Sequence, residues 1–172
     1  MTNTLYTIGY GLLEGAHAER KEQFQNRLRE IQRRLGETLC LVDIRKRGCG
    51  SRNGPWCSWE GMRQTVATMN SSFQYRAYPT LSNGFGGTKA GLEDYKSWLL
   101  EEVNNPDSLQ ADAFRKLNRR QRHRPYWAFI FLCGCKDAFK KNGTTPNCHR
   151  VPLVEALMDF QPELWGEVVH LR

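Results

Sequence analysis

Four side chains between residues 133 and 149 can act as nucleophiles or as metal ligands. They are Cys133, Cys135, Cys148 and His149. Three thiols and an imidazole suit soft metal ions such as zinc or iron, and Cys148 can also form a redox pair with Cys133 or Cys135. Their spacing is not that of a standard zinc knuckle, and a cysteine at the end of an apolar run is usually core filler. A metal held by Cys133, Cys135 and Cys148 is therefore one hypothesis among three.

The tripeptide Cys148-His149-Arg150 stands directly before an apolar pattern of helical spacing. Free backbone N–H groups at the start of a helix lower the pKa of a thiol and bind anions. We therefore expect Cys148 to be a catalytic thiolate, more reactive than Cys40, with Arg150 as an anion clamp. His149 belongs to the same anion site. The alternative is a helix-capping turn whose cysteine is merely small and buried.

Asp43 and Arg45 follow an apolar run, residues 39–42, of the kind that forms a strand buried on both faces. At the end of a strand both side chains can turn into a cleft. Asp43 would then serve as an acid or base, and Arg45 would hold phosphate. An end-of-strand salt bridge between the two is the alternative.

Six residues in polar or glycine-rich loops are further candidates for binding substrate or phosphate. Ligands bind at such loops in parallel sheets, beyond the carboxyl ends of the strands. These candidates are Gly9, Tyr10, Ser51, Arg52, Gly86 and Gly87.

A basic stretch without any acidic residue predicts contact with a nucleic-acid backbone. It comprises Arg115, Lys116, Arg119, Arg120, Arg122 and Arg124. The formal net charge of +7 and the pI near 9.3 also favour an anionic partner, either a nucleotide or a nucleic acid. The alternative is a solvated helix face.

Strand and helix patterns alternate in the order β-α-β-α-β-α-α-β-α-β. The runs that favour strands are 5–8, 39–44, 73–77, 126–133 and 168–171. This alternation predicts one α/β domain over residues 1–172, with three layers and a mostly parallel central sheet of about five strands between helices. Parallel strands place Asp43, Arg45, Cys133 and Cys148 at the same end of that sheet.

The sequence contains no apolar run near the roughly 20 residues that a membrane span needs, and no signal peptide. We therefore predict a cytoplasmic protein that does not enter membranes. Its six cysteines are then expected to stay free or metal-bound rather than form disulfides. Cys49 and Cys57 share a loop and could pair, although nothing in the sequence links them. No cofactor is assigned.

An ordered set of short motifs resembles a known bacterial family. The motifs are Thr7-Ile8-Gly9-Tyr10, Leu41-Val42-Asp43-Ile44-Arg45, Ser51-Arg52, Leu81 with Gly86-Gly87, Leu132-Cys133 and Cys148-His149-Arg150. Together they span nearly the whole chain and are similar to the family catalogued as domain of unknown function 488. The resemblance implies a compact α/β domain of the bacterial or phage cytosol, and it implies no reaction.

Two differences from that family pattern concern the cysteines. The family usually has an acidic residue two positions after the first cysteine of the motif, where this chain has Cys135. The loop from Cys135 to Asn147 is also longer than usual. Both differences favour a thiol-rich site in this chain.

These observations lead to three hypotheses about function. The leading one is an enzyme that acts on a nucleotide or nucleic-acid substrate with the Cys148 thiolate. The second is a non-catalytic nucleic-acid-binding module whose cysteines are structural or bind metal. The third is a thiol-redox or metal-handling protein. A cleft that unites Cys148, Asp43 and Arg45 would favour the first hypothesis, and a flat basic face without a cleft would favour the second. A metal held by Cys133, Cys135 and Cys148 would favour the third.

Overall fold

The computed structural model describes residues 3–9, 13, 15–46, 54–135 and 146–171. Within these ranges five strands alternate with five helices, in the order that the sequence predicts. The strands are β1 (Asn3–Gly9), β2 (Thr38–Asp43), β3 (Phe73–Ala77), β4 (Trp127–Cys133) and β5 (Trp165–Leu171). The helices are α1 (His17–Leu35), α2 (Trp59–Ala67), α3 (Lys89–Asn104), α4 (Leu109–His123) and α5 (Arg150–Phe160).

Local sequence signals explain where several helices begin and end. The Ser58 side chain accepts a hydrogen bond from the backbone N–H of Gly61 at 3.0 Å, which caps α2. Ser108 caps α4 in the same way. Helix α1 ends at Gly36, whose φ of 68° is the left-handed conformation that glycine adopts at low cost.

The five strands form one parallel sheet in the order β3-β2-β4-β1-β5. Helices α1 and α2 pack on one face, and α3, α4 and α5 pack on the other. The predicted α/β class, with three layers and a five-stranded sheet, is confirmed. Because every described strand pair is parallel, the strands' carboxyl ends all lie at one edge of the sheet.

The register places the predicted site residues at that edge but on opposite faces. Asp43 is the partner of Leu132, and Gly9 is the partner of Cys133. Side chains alternate along a strand, so Asp43 shares the α1–α2 face with Leu132, while Cys133 faces α3 and α5. The expected common edge is therefore confirmed, and the sheet itself separates the two groups.

No helix in the described ranges is both long enough and apolar enough to cross a bilayer. Cys57, in a short turn before α2, is disulfide-bonded. The expectation that every cysteine stays free is therefore wrong at Cys57. That expectation followed from the predicted compartment and the size of the core, and neither decides the state of an individual sulphur atom. Cys40, Cys133, Cys135 and Cys148 are free thiols.

Candidate functional site

Strand β4 positions the first two cysteines of the site. Its residues are apolar and buried on both faces, so it runs through the middle of the sheet between β2 and β1. Cys133 is the last residue of the strand and is 3% exposed. Cys135 follows one residue beyond Gly134 and is only partly buried.

Helix α5 positions the other two donors. The apolar side chains of its first two turns are buried, which fixes the start of the helix against the sheet. His149 is the N-cap residue, and Cys148 precedes it with 1% of its surface exposed. The Cys148 carbonyl accepts a hydrogen bond from the backbone N–H of Val151 at 3.1 Å, so Cys148 belongs to the rigid first turn.

Two of the thiols and the imidazole converge on one point, and the third thiol, Cys135, lies beside Cys133. The Sγ atom of Cys133 lies 3.4 Å from Sγ of Cys135 and 3.3 Å from Sγ of Cys148. The Nδ1 atom of His149 lies 3.8 Å from Sγ of Cys133 and 4.0 Å from Sγ of Cys148. The donor atoms of Cys133, Cys148 and His149 all lie within 4.8 Å of one another. We call these four residues the cysteine–histidine cluster.

The three thiols of the cluster share negative charge unequally. Hydrogen bonds from Cys133 and Cys148 lower the pKa of Cys135 to about 2, and the charge of Arg150 lowers it further. The pKa of Cys133 is raised well above the ordinary value, because Cys133 donates a hydrogen bond to Cys135, bonds with Cys148 and is buried. The thiolate of the cluster is therefore Cys135, the most accessible of the three.

Cys148 does not have the lowered pKa that its position before a helix predicts. Its hydrogen bond with Cys133 favours the thiolate, but the bond with Cys135, burial and the negative charge on Cys135 outweigh that effect. The pKa of Cys148 is raised to about 12. The expectation of an activated Cys148 thiolate is wrong, because the helix start acts on a thiol that two other thiols surround.

We predict that iodoacetamide labels Cys135 first when no metal is bound. Because hydrogen bonds from the two neighbouring thiols lower its pKa, Cys135 should carry the thiolate at neutral pH, and its labelling rate should depend on pH less than the rates of Cys148 and Cys40. The pKa of Cys148 and that of Cys40 are each raised to about 12. Their rates should rise roughly tenfold per pH unit, as the thiolate fraction does. Peptide mass mapping over time measures this order, and faster labelling of Cys148 would contradict it.

The imidazole of His149 is in the form that binds metals. Its ring packs edge-on against Tyr95, with 5.9 Å between the ring centroids. Burial lowers the pKa of His149, and the Cys135 charge and the Ile44 carbonyl oppose this only in part. The imidazole is therefore neutral at pH 7, and a neutral imidazole is the metal-binding form.

Asp43 and Arg45 form the end-of-strand salt bridge that the sequence offered as the alternative to a cleft. The strand ends at Asp43, so Arg45 turns back and donates from Nε to Asp43 Oδ1 at 2.7 Å and from a second nitrogen to Oδ2. Tyr75 donates to Oδ2 at 2.7 Å, and Arg45 also donates to the Cys57 carbonyl at 2.6 Å. Asp43 is fully buried and Arg45 is 6% exposed. Burial and then the Asp43 charge raise the pKa of Tyr75.

The loop residues proposed for phosphate binding have different positions. Gly9 ends β1 beside Cys133, whereas Gly86 and Gly87 lie in an exposed loop before α3. Tyr10, Ser51 and Arg52 lie outside the described residues. Two residues near the site gave no functional signal in the sequence. Tyr75 alternates with polar residues, as any core residue of a strand does, and Arg27 lies on a helix with many charges.

Acidic side chains neutralise part of the basic stretch on α4. Lys116 lies 2.5 Å from Asp112, one turn earlier, and Arg122 lies 3.3 Å from Glu163. These pairs use two of the six cations, and only the partner Glu163 depends on the fold, since Asp112 stands four residues before Lys116 on the same helix. They support a solvated helix face, and nucleic-acid contact remains a prediction for Arg115, Lys116, Arg119, Arg120, Arg122 and Arg124.

Comparisons with protein-family models, curated proteins and solved structures find no match to this chain. The geometry of the cysteine–histidine cluster and its surroundings is therefore the basis for inferring function.

Proposed function

We propose that this chain is a metal-binding protein of the zinc–thiolate type. Cys133, Cys148 and His149 would hold the ion as buried ligands, with Cys135 as the fourth. The observation that supports this is the convergence of two sulphur atoms and one imidazole nitrogen at the carboxyl edge of the sheet, with the Cys135 sulphur 3.4 Å from that of Cys133. Zinc is bound by sets of this composition, and soft thiolate ligands select it over magnesium or calcium.

The distances within the cluster support a tetrahedral ion. Zn–S bonds of about 2.3 Å separate two sulphur ligands by about 3.8 Å. The two sulphur pairs here are 3.3 and 3.4 Å apart, and the nearest sulphur–nitrogen pair is 3.8 Å apart. For Cys133, Cys148 and His149 an ion would therefore need shifts of only a few tenths of an ångström, whereas Cys135, which lies outside this mutually close group, would have to move further.

The charge around the cluster also suits an ion of this type. Zinc with three thiolates and a neutral imidazole carries one negative charge. Arg150 is 1% exposed and donates to the Cys135 carbonyl at 3.5 Å, so its positive charge lies beside the ligands. A buried charge is tolerated where an opposite charge compensates it.

The nucleophile hypothesis for Cys148 has less support than the metal hypothesis. Cys148 is 1% exposed, and Asp43 and Arg45 bond to each other on the opposite face of the sheet. An enzymatic role is still compatible with the metal centre, because parallel sheets bind ligands at this edge and zinc can activate water there. Cys135 is the more exposed ligand, and substrate would displace it most easily.

Zinc stoichiometry tests this proposal. We expect the purified chain, dialysed against zinc and then against metal-free buffer, to retain one zinc ion per molecule. Substitution Cys148→Ala should abolish retention, because it removes a buried ligand. Substitution Cys40→Ala is the matched control, since Cys40 is a buried free thiol on β2, and this variant should retain zinc fully.

A cobalt spectrum gives a second readout. Cobalt in the same site should show a thiolate-to-cobalt charge-transfer band, which weakens in Cys135→Ser and disappears in Cys148→Ala. Absence of both retained zinc and this band in the folded wild-type chain would refute the metal centre. A wild-type level of zinc in Cys148→Ala would refute the ligand assignment.

A further inference from the structure

Arg150 is a buried cation with few partners. Its side chain is 1% exposed, its Nε atom is buried without a hydrogen-bond partner, and one terminal nitrogen reaches the Cys135 carbonyl at 3.5 Å. Within the described part of the chain, no carboxylate lies within salt-bridge distance of it. Buried guanidinium groups are normally paired with anions.

A second arginine approaches the same region from the other face of the sheet. Arg27, on α1, is half-buried and donates to the Gly9 carbonyl at 3.2 Å, at the carboxyl end of β1. Burial lowers the pKa of Arg27, and the charge of Arg150 lowers it further. Arg27 and Arg150 therefore both donate to backbone carbonyls at the carboxyl edge of the sheet, where Gly9 pairs with Cys133.

A histidine lies on the neighbouring strand, opposite Thr7 of β1. His170, on β5, shares a hydrogen bond of 2.6 Å with the Thr7 hydroxyl of β1. Burial and then the Arg150 charge lower the pKa of His170, and the opposing carboxylate is Glu155. Glu155 is exposed and pairs with Lys96 at 3.1 Å, so it does not neutralise Arg150.

We propose that a small phosphate-type oxyanion binds between Arg27 and Arg150, at the carboxyl end of β1 beside the cysteine–histidine cluster. The metal centre with three thiolates contributes one negative charge, and the two arginines contribute two positive charges. One positive charge then remains, and an oxyanion would balance it. This inference rests on the proposed function for the charge count and for the placement of the anion next to a metal.

The chemistry of the site favours phosphate. Guanidinium groups bind phosphate oxygens through paired hydrogen bonds. The N-terminus of α5, which begins at Arg150, adds a helix dipole that favours an anion. Gly9 has no side chain to obstruct approach along the strand end. A site between two guanidinium groups suits a terminal phosphate group, whether inorganic or at the 5′ end of a nucleotide.

Calorimetric titration with inorganic phosphate tests the site. It uses the zinc-treated full-length chain at low ionic strength. Substitution Arg27→Gln should weaken phosphate binding about 10- to 100-fold, as expected for loss of a charge-assisted hydrogen bond. Arg29→Gln is the matched control, because Arg29 lies on the same helix, is exposed and bonds to Asn26. It should change binding by less than about twofold, since exposed charges are screened by solvent.

Two further measurements make the outcome decisive. Arg150→Lys keeps the charge and should still weaken phosphate binding, because an ammonium group cannot replace the paired N–H donors of the planar guanidinium group. A nucleoside 5′-monophosphate that binds more tightly than inorganic phosphate would identify a nucleotide as the source. Equal affinity would identify the free oxyanion, and either result supports the site.

The outcomes also separate this inference from the proposed metal centre. Absence of phosphate binding to the folded wild-type chain, or equal effects of Arg27→Gln and Arg29→Gln, would overturn the phosphate site whatever the zinc content. Zinc is measured on the same samples. Phosphate binding that depends on Arg27 in a chain that retains no zinc would refute the metal centre alone.

Discussion

Zinc should raise the midpoint of thermal unfolding by about 8 to 16 °C at a concentration one thousand times its Kd. A ligand that binds only the folded state adds about 4.1 kcal/mol under that condition. One kcal/mol shifts the midpoint by about 2 to 4 °C in a chain of 150 to 250 residues, and this chain has 172. The ligands come from β4 and from the start of α5, so the site exists only when these segments are packed together. Circular dichroism with and without zinc measures the shift.

Two controls belong to this experiment. Magnesium at the same concentration should not change the midpoint, because it prefers oxygen ligands. The Cys148→Ala variant should unfold at one temperature with or without zinc. A shift of equal size in that variant would show that zinc acts elsewhere on the chain.

Substitution Arg45→Met should lower the free energy of unfolding by about 3 to 5 kcal/mol. The change leaves the Asp43 carboxylate fully buried without its cation, and breaking a buried pair costs about that much. Urea unfolding measures the loss. Tyr75→Phe removes only one hydrogen bond to the same carboxylate and should cost about 1.5 to 3 kcal/mol.

An exposed pair provides the control for Arg45→Met. Arg63 lies 3.2 Å from Glu60, and both side chains are more than half exposed. Arg63→Met should therefore cost no more than about 1 kcal/mol. If Arg45→Met costs equally little, the buried pair does not stabilise the fold. Zinc retention should be unchanged in Arg45→Met, because the sheet lies between the two groups.

Most of the fold could be predicted because its signals are local. Residues 39–42 are apolar without interruption, as a strand buried on both faces requires, and Ser58 and Ser108 stand where helices need caps. Strands β1 and β5 extend further than their apolar runs. Their polar ends, such as Asn3 and Glu167, pair through the backbone, which leaves no pattern in the side chains.

The site could be predicted only in outline. Topology was enough to place Cys133 and Cys148 at one edge, since parallel strands end together. The location of the thiolate was not predictable, because the pKa of Cys135 depends on hydrogen bonds from two thiols that are distant from each other in sequence. Arg27 gave no signal either, since its role depends on how α1 packs above the end of β1.

The position of β1 in the sheet has a consequence for synthesis of the protein. Leu5 pairs with Phe129 and with Val168, so both neighbours of β1 are translated long after it. Translation adds roughly 5 to 20 residues per second, so on the order of 10 s pass between the synthesis of β1 and that of its first partner strand. Strands β2 and β3 are neighbours both in sequence and in the sheet, and they can associate while translation continues. During that interval β1 has two unpaired edges, which makes the nascent chain most prone to aggregation just before β4 leaves the ribosome.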